Sequence, residues 1–99
     1  MNYTDTDRKL ADNIRKLRNT CGFTQEQVSA KLGVIGVNMS RSKYAKIESN
    51  CAIVRVRELV ALKLVFKCSF DDFFDGLEES FQSEILEMEN TDPRYDEHS

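Results

Sequence analysis

The 99-residue sequence is long enough for one small core with at most one appendage, and it is 40% hydrophobic with a single proline and no tryptophan. No apolar run approaches the roughly 20 residues of a membrane span, and Met1-Asn-Tyr-Thr-Asp leads straight into charged sequence without the segments of a signal peptide, so a cytoplasmic protein is expected. The net charge of −3 divides unevenly, since residues 1–67 carry 13 Lys and Arg against 6 Asp and Glu while residues 68–99 carry 1 against 11.

A basic body with an acidic end suggests a footprint for a polyanion on the first part. The three cysteines, Cys21, Cys51 and Cys68, form no Cys-x-x-Cys pair and have only His98 for company, which argues against a metal site and for reduced thiols filling small gaps.

Helical periodicity runs throughout, and no alternating stretch backed by turn signals argues for a sheet, so the fold is expected to be all-α. A first helix over about 6–20 places Leu10, Ile14 and Leu17 on one stripe and ends at Gly22. The second opens with Thr24-Gln-Glu-Gln27, the spacing of a capping box, with Phe23 able to staple onto Val28. Its core stripe reads Val28, Leu32 and Ile35, and Gly36-Val-Asn-Met breaks it into a turn. Ser40 is an N-cap for a short third helix from Arg41 to about Ser49, whose apolar residues are Tyr44, Ala45 and Ile47, and Asn50 suits its left-handed stop. The fourth helix, about 55–67, is the richest in aliphatic residues and reads as the central buried element. Ser69 caps a short fifth helix whose Asp71 and Asp72 suit the positive end of its dipole, and Gly76 ends the core.

The domain reading is therefore a compact five-helix unit at 1–76, an acidic amphipathic helix at 77–90 as a candidate dimerisation element, and a disordered tail at 91–99. In the acidic helix Leu77, Phe81, Ile85 and Met88 form a stripe opposite Glu78, Glu79, Glu84 and Glu87; it can dock on its own domain or on a second copy.

Two helices joined by a tight turn, the second short and basic, are the pattern that a major groove accepts, with N-terminal side chains of the second helix reaching base edges. Ile14-Arg-Lys-Leu-Arg18, Gly22-Phe-Thr-Gln-Glu-Gln-Val-Ser-Ala-Lys-Leu32-Gly, Ser40-Arg-Ser-Lys-Tyr-Ala-Lys-Ile-Glu48 and Cys68-Ser-Phe-Asp-Asp-Phe-Phe74 follow one another in the order of the phage repressor and Cro-like helix-turn-helix family. The chain resembles that family over roughly residues 8–76. It departs from it in a longer connection between Leu32 and Ile47, which looks like a variant with a second helix extended to Gly36. It also carries Ser29 where the family usually has alanine, Asn50 and Lys67 where it usually has glycine, and Lys63-Leu64 as the reverse of its small-then-polar pair, which is expected to expose Leu64.

The resemblance implies a transcriptional regulator of the repressor type, working as a homodimer on pseudo-palindromic double-stranded DNA. It assigns Arg41, Ser42 and Lys46 to base edges and Gln25, Lys43, Arg55 and Arg57 to phosphates, with Ser40 at the tip of the same surface. It also implies a partly buried ion pair between Arg18 and Glu48. Arginine grips guanine bidentately, serine serves either base type, and lysine contributes counterion release, so the residue types agree with those roles.

No cofactor, small-molecule ligand or membrane partner is expected. With one histidine near the end, no Gly-rich phosphate loop and no nucleophile motif, the chain does not read as an enzyme. The alternative from another class is a protein-interaction module on the same fold, an antitoxin or anti-repressor type of partner whose acidic end engages a basic protein or covers the basic face.

Overall fold

A computed structural model describes residues 4–91 as six α-helices: α1 Asp5–Cys21, α2 Gln25–Val34, α3 Arg41–Glu48, α4 Val56–Phe66, α5 Phe70–Phe74 and α6 Leu77–Thr91. No strand occurs among the described residues. One core joins the first five helices, built on Ile14, Val28, Leu32, Val37, Met39, Tyr44, Ile47, Ala61, Leu62, Phe66 and Phe73. The reading of 91–99 as a disordered tail lies outside the described residues, except that Thr91 closes α6.

Local chemistry accounts for most of the helix ends. The Thr4 hydroxyl accepts from the Asp7 N–H while the Asp7 carboxylate accepts from the Thr4 N–H, and Thr24 with Gln27 and Ser69 with Asp72 repeat the arrangement. Gly22 takes a left-handed conformation, φ 74°, and the following Phe23 N–H donates to the Arg18 carbonyl, which closes the end of α1. Asn50 performs the same service after α3 at φ 61°, and Lys67 does so after α4 at φ 54°, a conformation that disfavours a residue with a Cβ.

The connection between α2 and α3 differs from the sequence reading. The second helix stops at Val34 and not at Gly36, and Ile35, expected in the core stripe, is exposed. Helical spacing no longer applies once the chain leaves the helix, and the longer turn itself supplies the core: Val37 and Met39 are both buried. The turn is held by a Val37 N–H bond to the Leu32 carbonyl and by the Ser29 hydroxyl, which donates to the Met39 carbonyl at 2.5 Å. An alanine at position 29 would leave that carbonyl unpaired, so the serine and the long turn belong together.

Helix α4 is not the buried central element that its aliphatic content suggested. Glu58, Ala61, Leu62 and Phe66 turn inward, whereas Val56, Val60 and Leu64 are exposed. At about 100° per residue these three fall on the side directly opposite the core.

The chain returns to α1 at its end. Asn13, buried on α1, donates through its amide nitrogen to the carbonyls of Phe73 and Asp75, each at 2.8 Å, and so satisfies orphan acceptors at the end of the one-turn α5. Gly76 takes a left-handed conformation, φ 77°, which favours glycine where the chain turns over α1 beside the Lys9 side chain. Helix α6 then packs along α1, with the Thr6 N–H donating to Glu84 at 2.7 Å and Leu77, Ser80 and Ile85 partly covered.

Replacing Asn13 by alanine removes both bonds and strands two carbonyls, at a cost of about 1–3 kcal/mol. Urea unfolding of Asn13→Ala is expected to show a lowered midpoint at unchanged slope. An unchanged midpoint would mean that the α1 to α5 tie does not support the fold.

Candidate nucleic-acid interface

The site begins with a polar cluster where α1, α2 and α3 meet. Arg18 of α1 donates through Nε to Glu48 Oε2 at 2.6 Å, through Nη2 to Glu48 Oε1 at 3.0 Å, and through Nη1 to the Phe23 carbonyl at 2.9 Å. Gln25 Nε2 adds a bond to Glu48 Oε1 at 3.0 Å. The two charged side chains retain only 14% and 4% of their exposure, so the pair is largely out of water.

Burial alone would raise the Glu48 pKa, but hydrogen bonds from Arg18 and Gln25, with the Tyr44 hydroxyl close by, outweigh it and hold the carboxyl below the usual glutamate range. The same contact with Glu48 raises Arg18 against the opposing effect of its own burial. Tyr44 is pushed up, first by burial and then by the neighbouring carboxylate, and its hydroxyl is enclosed without a well-aligned hydrogen bond. All three groups keep their ordinary charge near neutrality.

This cluster fixes how α3 is turned. Tyr44, Ile47 and Glu48 face inward, and at about 100° per residue the opposite side of the helix is headed by Ser42 and Lys46, one turn apart. Both are exposed, as are Ser40 and Arg41 at the N-terminal tip. Ser40 caps the helix by accepting from the Lys43 N–H at 3.1 Å. Arg41 leans toward the start of α2 and shares an open groove there with Thr24, Gln25 and Glu26. Neither Arg41 nor Lys46 forms an ion pair among the described residues, and four side chains, Ser40, Arg41, Ser42 and Lys46, form one accessible group.

The residues assigned to phosphates are arranged less uniformly. Lys43 turns away from the outward side, and its Nζ donates to Glu58 of α4 at 2.8 Å. Glu58 is buried, which would raise its pKa, yet bonds from Lys43 and from the Arg55 N–H hold it below the usual range. A lysine so engaged ties α3 to α4 while its side chain stays 40% exposed. Gln25 spends one N–H on Glu48 and keeps the other at the mouth of the groove. Arg57 donates to the Gly36 carbonyl at 3.3 Å and lies against the α2 to α3 turn, apart from Arg41 and Lys46. Arg55 precedes α4 with an exposed side chain.

Glu58 is a member of this arrangement that the sequence reading above does not name. Its signal was present, since a glutamate three residues after the residue preceding a helix is the N3 half of a capping box.

No group of three or more His, Cys, Asp or Glu side chains could hold a metal ion among the described residues, and no helix there is long and apolar enough to cross a membrane. A family model described as helix-turn-helix matches residues 14–73, more than half of the chain. No curated protein and no solved structure matches it.

The depressed pKa of Glu48 links the cluster to pH. Because its folded value lies below that of the unfolded chain, its contribution to stability is complete above the ordinary glutamate value of about 4.3 and fades as the pH falls through and below that value. Arg18→Ala leaves a buried carboxylate without its partner and is expected to cost about 3–5 kcal/mol at neutral pH, with the deficit shrinking toward pH 3. Denaturant titrations of both chains across that range check it, and a deficit under about 1 kcal/mol at neutral pH would show the pair to be energetically a surface contact.

Proposed function

The chain belongs to the phage repressor and Cro-like helix-turn-helix family, a family of DNA-binding regulators, and from that premise we propose that it is a sequence-specific transcriptional regulator of the repressor type. In this reading a homodimer binds a pseudo-palindromic operator with α3 of each copy in the major groove. The observation that carries it is the division of α3: one side is locked by Tyr44, Ile47 and Glu48, and the other offers Ser42 and Lys46 with Arg41 at the tip and no competing partner among the described residues.

Arg41, Ser42 and Lys46 read base edges. Ser40, the free N–H of Gln25 and the N-terminus of α2 grip one phosphate run, where the helix dipole favours an anion. Arg55 holds a second. Lys43 and Arg57 support the probe from behind, through Glu58 and the Gly36 carbonyl. Lys43 therefore leaves the set of phosphate ligands proposed on sequence grounds, and Arg57 moves to its margin.

The competing reading, an interaction module whose acidic end covers the basic face, finds less support. Helix α6 carries that acidity and packs along α1, and α3 is left uncovered among the described residues.

The test starts from duplexes selected out of random sequence by the purified chain at stated salt. Arg41→Ala is expected to lose about 1–3 kcal/mol on the best site and to flatten the preference at one base pair. Arg55→Ala is expected to weaken cognate and scrambled duplexes alike and to lower the salt slope by about one. An equal loss on both duplexes for Arg41→Ala would reduce that residue to an electrostatic contact, and failure to enrich any sequence would sink the regulator itself.

A further inference from the structure

The outward side of α4 has no function in the reading above. Val56, Val60 and Leu64 recur at every fourth residue and are exposed, Val56 at 81% and Leu64 at 60%. The end of α2 extends this surface, since Val34 and Ile35 share a groove with Leu64 and Val65, bordered by Lys31 and Lys67. Lys63 and Arg57 flank the stripe along the helix, with Lys63 lying over the exposed Phe70 ring. The only acid of α4, Glu58, is buried on the opposite side and already paired with Lys43. The surface is therefore aliphatic at its centre and cationic at its rim, and a contiguous apolar patch of this kind marks an interaction site.

Its complement occurs in the same chain. Helix α6 contains no basic residue and carries Glu78, Glu79, Glu84, Glu87 and Glu89. Although it packs along α1, Phe81 and Leu86 remain 54% and 59% exposed on either side of the partly covered Ile85. Two other pairings of identical copies are disfavoured by charge. The α4 surface against itself would set Lys63 and Lys67 against the partner's cations, and α6 against α6 would set carboxylates together.

We propose that the outward face of α6 docks on the α2 and α4 surface of a second copy of this chain, the contact being made twice about a two-fold axis. Phe81 and Leu86, about 140° apart around α6, bracket the docked face: Phe81 lies on the Leu64 and Val60 region, Leu86 closes the far edge, and Glu78 and Glu79 meet the lysines of the rim. The proposal specifies the dimer of the regulator proposed above and rests on that reading for the expectation that a dimer forms; the contact itself is tested without DNA.

The experiment uses the full chain, measured by sedimentation as the parent, as Leu64→Glu, as Phe81→Glu and as an equimolar mixture of the two variants. Both side chains are exposed, so far-UV dichroism should stay at the parent's value, and Leu86→Glu replaces Phe81→Glu if that substitution loosens α6. The parent is expected to be a dimer, and each variant alone to dissociate with a constant raised more than about tenfold, because both copies of the contact then contain a buried charge. In the mixture, the intact α6 of the Leu64→Glu chain meets the intact α4 of the Phe81→Glu chain while the other contact carries both glutamates, so one contact of the two is restored and a mixed dimer weaker than the parent's but stronger than either variant's should reappear.

A monomeric parent, variants that dimerise as the parent does, or a mixture no more associated than its components would each overturn the proposal. Binding of each variant to a duplex carrying one half-site is read separately. If the mixed dimer forms while no chain binds DNA, the docking contact stands and the regulator reading falls.

Discussion

The orientation of the probe helix depends on the ion pair between Arg18 and Glu48. Apolar packing among Ile14, Val28, Leu32, Tyr44 and Ile47 holds the first three helices together but has no direction of its own. The Arg18 fork adds direction, because its planar donors must find both oxygens of Glu48 and the Phe23 carbonyl at once. That fixes the end of α3 relative to the start of α2. A carboxylate late in α3 opposes the helix dipole, and Arg18 offsets both that and the cost of taking the charge out of water. Gln25 and Tyr44 complete the enclosure, so the side of α3 facing solvent follows from the side that is locked.

Charge placement follows the same geometry. Cations crowd the first four helices, yet those near the probe are not equivalent: Lys43 is spent on Glu58, Arg18 on Glu48 and Arg57 on a backbone carbonyl. Arg41 and Lys46 remain, one at the tip of α3 and one on its outward side. The acidic residues that bring the net charge to −3 are concentrated on α5, on α6 and beyond, and α6 lies along α1. The chain's average charge is therefore a poor guide to its local field. An anion approaching α3 meets the cations first.

What was legible in the sequence was chiefly what lies within four residues of its cause. Thr24 with Gln27, Ser40, Asn50, Ser69 and Gly22 announce helix ends through caps that need only neighbouring backbone, and each stands at such an end in the structure. The choices that depend on distant partners were not legible. Nothing near Asn13 signals that its amide will meet carbonyls some sixty residues later, and nothing near Lys43 marks Glu58 as its counter-charge. Ile35 was drawn into the core by extending a period past the point where the helix stops, while Val37 and Met39 filled the space from the turn. In α4 the reversed Lys63-Leu64 pair marks Leu64 as exposed, but the number of aliphatic residues suggests burial of the rest, and their phase, with Val56 and Val60 beside Leu64 opposite the core, is the information that matters.

That phase bears on specificity. In the proposed reading, three side chains at base edges, each discriminating by about 1–3 kcal/mol, would give a single copy roughly 3–9 kcal/mol. Against about a million competing sites, which offset about 8 kcal/mol, that is marginal at best. A second copy held at fixed spacing doubles the discrimination without any change in α3 itself, provided that the joining surface lies elsewhere than on the probe. The outward stripe of α4 meets that condition, because it faces away from the core that α4 shares with α3, and the face of α4 that approaches Lys43 is the one bearing Glu58. Exposed aliphatics on an otherwise charged surface raise the risk of nonspecific association, and a cationic rim limits it by admitting only an acidic partner. Under the docking proposed above, the acidic helix has a physical reason to belong to a chain whose first four helices are basic: it would be too negative to compete for DNA and would carry the charge needed to join two copies.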